Sequence, residues 1–261
     1  MSQDVEEEEP EEVDAFDLAE PVDIMASLPD TFEDQVSSTK WKERKESLDA
    51  LAVIINVPRI KDGSYDNIVR ALAKCMKDAN VAVVTVAANC IELMATGMRR
   101  GFSKYRTIVL GPVLERLKEK KQGVIDALAK ALDAIFVSTS LTDCLEDISE
   151  MSKNKNPNVK LETIRFLVRC LSETKEFPSK PEQKQIAETS GKLLTESSAP
   201  IRDTAAEAMG TLMKIIGERQ MTPYLDGLDE IRKTKIKEYF EQATVKAKEK
   251  PKPKPPVPRS P

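Results

Sequence analysis

The chain contains no histidine. That absence removes Ser–His–Asp and Cys–His nucleophilic schemes, and zinc sites built on imidazole. Glycines number only 9 and are scattered, with neither GxGxxG nor GxxxxGKS/T, so phosphate-cradling loops are not expected. Aromatic residues make up 5% of the chain, and β-branched or aromatic residues nowhere cluster at period two, which argues against a sandwich or barrel. No uninterrupted run of about 18 apolar residues occurs, so no membrane span and no membrane partner are expected. The opening residues are acidic rather than basic then apolar, unlike a signal peptide. No strongly basic recognition helix is visible, so no nucleic-acid partner is expected either. The four cysteines, Cys75, Cys90, Cys144 and Cys170, form no CxxC pair and sit among apolar residues. They read as reduced core thiols of a cytosolic protein. Acidic residues are plentiful but read as solvated helix faces. Nothing here predicts an enzyme, a cofactor or a metal site.

What the chain has in abundance is charge, 32% of residues, beside a hydrophobic share of 40%. That balance suits long helices with one solvated face. The formal net charge of −4 is unevenly placed. Residues 1–20 hold ten acidic residues and no Lys or Arg, whereas from Lys246 the chain reads KAKEKPKPKPPVPRSP. Disordered segments are expected at 1–19, acidic, and at 247–261, basic and Pro-rich, flanking a folded domain at 20–246. The basic tail suits weak, salt-sensitive contact with an acidic surface.

Five segments repeat one pattern about 40 residues apart, the spacing of HEAT arrays. They are TKWKERKESLDAL, NVAVVTVAANCI, QGVIDALAKAL, NPNVKLETIRFL and APIRDTAAEAM, aligned on Leu51, Ile91, Leu132, Leu167 and Met209. Three residues earlier stand Leu48, Ala88, Ala129, Ile164 and Ala206, and four earlier Ser47, Ala87, Leu128, Thr163 and Ala205. These spacings share one helix face, and the many small side chains allow close helix approach. An amphipathic segment precedes each one. A sixth pair is expected at Met221–Leu228 and Glu230–Val245, with Ile231, Ile236, Phe240 and Ala243 facing inward. Asn80 is placed to cap a helix starting at Val81, and Asn156 stands before Pro157, a residue suited to a first helical position. The prediction is an all-α protein, an α-solenoid of six HEAT-like helical hairpins in which each hairpin is stabilised by its neighbours.

In such a stack the turns within the hairpins line up along one edge, here near 38–42, 78–82, 119–123, 153–159 and 197–202. Trp41, the only tryptophan, lies in the first between Lys40 and Lys42. Lys118, Lys120 and Lys121 mark the third, Lys153 and Lys155 the fourth, and Arg202 the fifth; the second has no basic residue. Trp and Arg dominate interface energetics, so an exposed anchor with basic turns beyond it points to a long acidic protein partner. Trp41 half-buried on its own repeat, and Arg202 paired with Glu207, are the competing structural readings.

WKERKESL in the first repeat, the five HEAT-like pairs and the short sixth pair resemble a TOG domain of ch-TOG and mini spindles type microtubule polymerases, over about residues 20–245. PVDIMASLP, LDAIFVSTSL and GERQMTPYL look most like the second TOG domain of those proteins. The resemblance implies that the turn edge grips curved αβ-tubulin. Trp41 with Lys42, Asn80 and Val81, Lys120 and Lys121, and Lys155 and Asn156 are then contact residues, Trp41 on β-tubulin, with Arg202 on α-tubulin. It also implies a microtubule, spindle, and spindle-pole or centrosome location, and attachment to microtubule ends through the tail or sister domains. A HEAT scaffold or adaptor for a non-tubulin complex is the alternative.

Overall fold

The computed structural model describes residues 13–248. A short helix α1 (Ala15–Leu18) precedes six hairpins. They pair α2 (Phe32–Val36) with α3 (Trp41–Ile55), α4 (Asp66–Cys75) with α5 (Val81–Met98), and α6 (Arg106–Arg116) with α7 (Gln122–Ser138). They continue with α8 (Leu141–Met151) and α9 (Pro157–Glu173), α10 (Lys180–Leu193) and α11 (Ala199–Ile216), and α12 (Glu218–Leu225) and α13 (Glu230–Gln242). A 3-10 segment, Arg99–Tyr105, joins α5 to α6. Among the described residues no strand forms, and one isolated bridge links Val22 to Ile60.

Local chemistry sets the helix starts. The Asn80 side chain accepts from Ala82 N–H, and Asn156 accepts from Asn158 and Val159 N–H, ahead of Pro157. Ser179 and Glu182 form a reciprocal capping box at α10. The second helices stack as α3, α5, α7, α9, α11 and α13, and the first helices as α4, α6, α8, α10 and α12, in two layers with the core between them. The aligned residues Leu51, Ile91, Leu132, Leu167 and Met209 are all buried, as are Ala87, Ala88, Ala205 and Ala206, where small side chains let the helices close up. All four cysteines are free and buried. Burial pushes the Cys75 and Cys144 thiols up to about 11, which keeps them protonated and unreactive near neutral pH.

Three expectations change. Ile231 is 83% exposed, whereas Ile236 and Met221 are buried. The inner face of α13 is therefore set by the close seat of Ile236 on α11 and not by an unbroken apolar stripe. The stretch Val81–Arg116 reaches a mean hydropathy of 1.7 over an 18-residue window, although no run is uninterrupted. Its apolarity follows from position: α5 packs between α3 and α7 and buries ten residues. Finally, the segment expected to be disordered at 1–19 is structured over 13–19, where α1 lies against Arg59 and Arg99. Residues 1–12 and 249–261 lie outside the described residues; of the expected tail, Ala247 is buried and Lys246 pairs with Glu173.

Candidate protein-binding edge

In the first five hairpins the turns between first and second helices lie at 37–40, 76–80, 117–121, 152–156 and 194–198. Hydrogen bonds between neighbouring repeats tie them into one row, firmly except between the third and fourth. Arg44 in α3 donates to the Asp78 carboxylate of the second turn at 2.7 and 3.0 Å, and to Ser38 O of its own turn at 2.8 Å. Arg116, at the end of α6, donates to Met76 O at 2.9 Å and Asp78 O at 2.7 Å, joining the second turn to the third. Asn158, the second residue of α9, reaches Glu119 O of the third turn at 3.5 Å, a marginal contact. Lys160 pairs with Glu196 of the fifth turn at 2.6 Å. Arg232 donates to Leu194 O at 3.3 Å, so the start of α13 is tied in as well.

Asp78 is the centre of this row. Its partial burial opposes ionisation, but the hydrogen bond from Arg44, the Asn80 N–H and the nearby Arg44 and Arg116 charges outweigh that and hold its carboxyl below the ordinary value. Arg44, Lys160 and Arg202 occupy the same register, the fourth residue of α3, α9 and α11. From there each side chain bends back over the turn before its helix or toward the next one. In α5 and α7 that position holds the buried Val84 and Ile125, and Arg116 makes the bracing contacts instead.

On this frame Trp41 is the first residue of α3, 40% exposed and outside the core cluster. At that exposure it is half-buried, with the open part of the indole facing solvent. Lys42, Lys120, Lys121 and Lys155 are exposed and form no ion pair among the described residues, whereas Lys40 pairs with Glu43 and Lys153 with Glu150. The second turn begins at Met76 and therefore includes the exposed Lys77, a basic residue that the expected boundary at 78 left out. Val81 is partly buried and packs against the core, and Asn80 and Asn156 use their side-chain oxygens as helix caps. Arg202 does not pair with Glu207. Its Nη1 donates to Glu196 O at 2.7 Å and Ser197 O at 2.8 Å, fixing the fifth turn. The sequence reading missed Arg44, Asp78 and Arg116, which hold the turns; the shared register of Arg44, Lys160 and Arg202 was the available signal.

The edge is thus a rigid line of turns with an exposed indole near one end and unpaired ammonium groups along it, on a chain whose overall charge is negative. At roughly 10 Å per helix step, the four steps from Trp41 to Arg202 span about 40 Å. A surface of that length and charge fits a large, acidic, folded partner better than a small molecule.

Comparison with known proteins agrees with this architecture. The family described as XMAP215/Dis1/CLASP, TOG domain, matches residues 26–240. The spindle pole body component alp14 of Schizosaccharomyces pombe is 44% identical over 245 residues, which are 93% of this chain and 30% of that protein. Protein mini spindles of Drosophila melanogaster is 41% identical over 241 residues, 91% of this chain and 12% of that protein. The chain therefore spans less than a third of the length of either relative. A structure solved in work on microtubule plus end tracking by XMAP215, CLIP-170 and EB1 superposes with a TM-score of 0.85 at 41% identity, covering 89% of this chain and 98% of that one. Another, from work on tubulin recruitment and assembly by microtubule polymerases with TOG domain arrays, gives 0.81 at 36% identity, covering 88% and 49%. Repeat architecture, matched family and these relatives agree: the chain is a member of the XMAP215/Dis1/CLASP TOG-domain family.

Proposed function

We propose that the chain is a tubulin-binding TOG domain that captures soluble αβ-tubulin along its row of turns, as one module of a microtubule polymerase. The observation that carries this reading is the stitched edge, which holds Trp41, the unpaired lysines and Arg202 in fixed relation. Relatives whose names and subjects are spindle poles, spindles and tubulin recruitment support the same reading, and with it a place on microtubules, the spindle and its poles. Trp41 supplies apolar area to β-tubulin, the lysines meet acidic surface, and Arg202 meets α-tubulin with the guanidinium nitrogens that its own turn does not engage. Asn80, Val81 and Asn156 act by shaping the turns.

A rigid edge fits one curvature of its partner. Curved, unpolymerised tubulin is the form bound, and straightening in the lattice weakens the fit and releases the domain, because only differential affinity can couple binding to a conformational change. Held near a microtubule end by its basic tail or by sister domains, the module raises the local tubulin concentration there. It has no catalytic role in this scheme. Gel filtration with purified αβ-tubulin tests the proposal: co-elution of a one-to-one complex is expected. Absence of a complex at micromolar concentrations, with the chain folded, would favour a scaffold for other proteins.

A further inference from the structure

A second built surface lies at the opposite edge of the repeat stack, past the C-terminal ends of α3 and α5. Helices of 15 and 18 residues separate it from the turns, about 22–27 Å along their axes. Its foundation is a close approach of the loop after α3 to the end of α5. A Cβ at Gly97 would stand 2.8 Å from Ile60 Cδ1, so glycine lets the Ile60 side chain sit there without shifting. Ile60 N–H then donates to Gly97 O at 2.8 Å. This contact brings Arg59 and Lys61, on the loop after α3, beside Arg99 and Arg100 at the start of the 3-10 segment, in one open cleft.

The chain's own acidic segment sits on this cleft. The Phe16 ring lies beneath two guanidinium groups, 4.9 Å from Arg59 and 5.6 Å from Arg99, a cation–π contact made twice. Both Asp14 carboxylate oxygens accept from Arg99 Nη2, at 3.1 and 3.2 Å. Downstream, Val22 N–H donates to Arg59 O and Lys61 N–H donates to Val22 O, so the segment is also fastened through its backbone. Arg99 itself has φ 50 and ψ −128, and it is the only non-glycine residue with positive φ among the described residues. Glycine would relieve that strain. The ion pair and hydrogen bonds of its side chain go to Asp14, and its guanidinium lies over the Phe16 ring.

We propose that this cleft is a docking site for an acidic–aromatic peptide segment, filled in cis by Asp14–Asp17 and open to a second segment of the same chemistry when its own is withdrawn. Recognition needs an aromatic ring in contact with both guanidinium groups and a carboxylate two residues before it. The site is separate from the row of turns and independent of what that row binds. It gives the chain upstream of residue 14 a fixed point of departure on the edge away from Trp41.

Fluorescence anisotropy of a labelled peptide carrying residues 11–22 tests this on the full chain. The variant Asp14→Asn with Phe16→Ala should bind the peptide at least tenfold more tightly than the parent, whose cleft is already filled. A peptide with alanine in place of phenylalanine should not bind. Arg59→Glu with Arg99→Glu, added to the opened variant, should abolish binding. Should the opened variant lose its helical spectrum, Phe16→Ala alone decides the same question. The proposal is overturned if a folded opened variant fails to bind the peptide, if it binds no more tightly than the parent, or if the charge reversal leaves binding unchanged.

Discussion

Trp41 combines an exposed position with a rigid origin. It is the first residue of α3, whose start is fixed by Arg44 bonded to Ser38 O and Asp78. Trp41→Ala should therefore weaken tubulin binding by about 2 kcal/mol, roughly thirtyfold, while calorimetry finds the melting temperature almost unchanged. Arg202→Ala should behave differently. Its Nη1 braces the fifth turn, so both affinity and melting temperature should fall, and a drop in affinity alone would show that the bracing bonds contribute nothing. Asp78 gives a pH test. Its carboxyl is held below the ordinary value of 3.8, so its contribution is complete above about pH 4 and is lost as pH falls through the lower folded value. Asp78→Asn should remove about 2 kcal/mol near neutral pH, measured by urea unfolding, and the gap from the parent should close in acid. A gap that stays constant to pH 2 would contradict the ion-pair assignment. The exposed indole could be read directly from one tryptophan beside two lysines. Asp78 could not, because its partners Arg44 and Arg116 lie 34 and 38 residues away and no local pattern connects them.

At the scale of helices, period and caps fixed most of the fold in advance. Spacings of three and four found the buried faces of α3, α5, α7, α9 and α11, and Asn80 and Asn156 marked two helix starts. The pattern failed on α13, where Ile231 fits the apolar spacing but faces solvent. The reason is a close backbone contact between α11 and α13 that side-chain periodicity does not encode. A Cβ at Gly210 would lie 2.7 Å from both Ile236 O and Phe240 N, so the helices touch through backbone there. Gly210→Ala should lower stability by about 2 kcal/mol or more, since backbone cannot move aside as a flexible side chain can. Gly191→Ala, in α10 with nothing within 4 Å of the added Cβ, should raise it by about 0.5–1 kcal/mol. Equal effects of the two substitutions in denaturant titrations would refute the packing described for α13. The strap around Phe16 was equally hidden: ten acids in twenty residues read as a solvated tail, because the arginines that receive it are at positions 59 and 99.

The whole molecule works as a beam. Each hairpin is stabilised by its neighbours, and hydrogen bonds between turns keep the spacing of the edge constant, so a partner meets the anchors together. Salt separates the two kinds of contact. From about 0.1 to 1 M ionic strength the screening length falls from roughly 10 to 3 Å, so the lysine contribution should fade while that of the indole persists. Binding should weaken without vanishing, and Trp41→Ala should be the more salt-sensitive of the two chains. The measurement that bears most directly on the binding edge is the Kd for αβ-tubulin of Trp41→Ala combined with Lys120→Ala and Lys121→Ala. All three residues are exposed, and neither lysine forms an ion pair among the described residues, so the fold should be retained. The predicted loss is about 3 kcal/mol, a hundredfold or more in Kd, at an unchanged melting temperature. A folded triple variant that binds tubulin as tightly as the parent would place the binding surface elsewhere on the molecule.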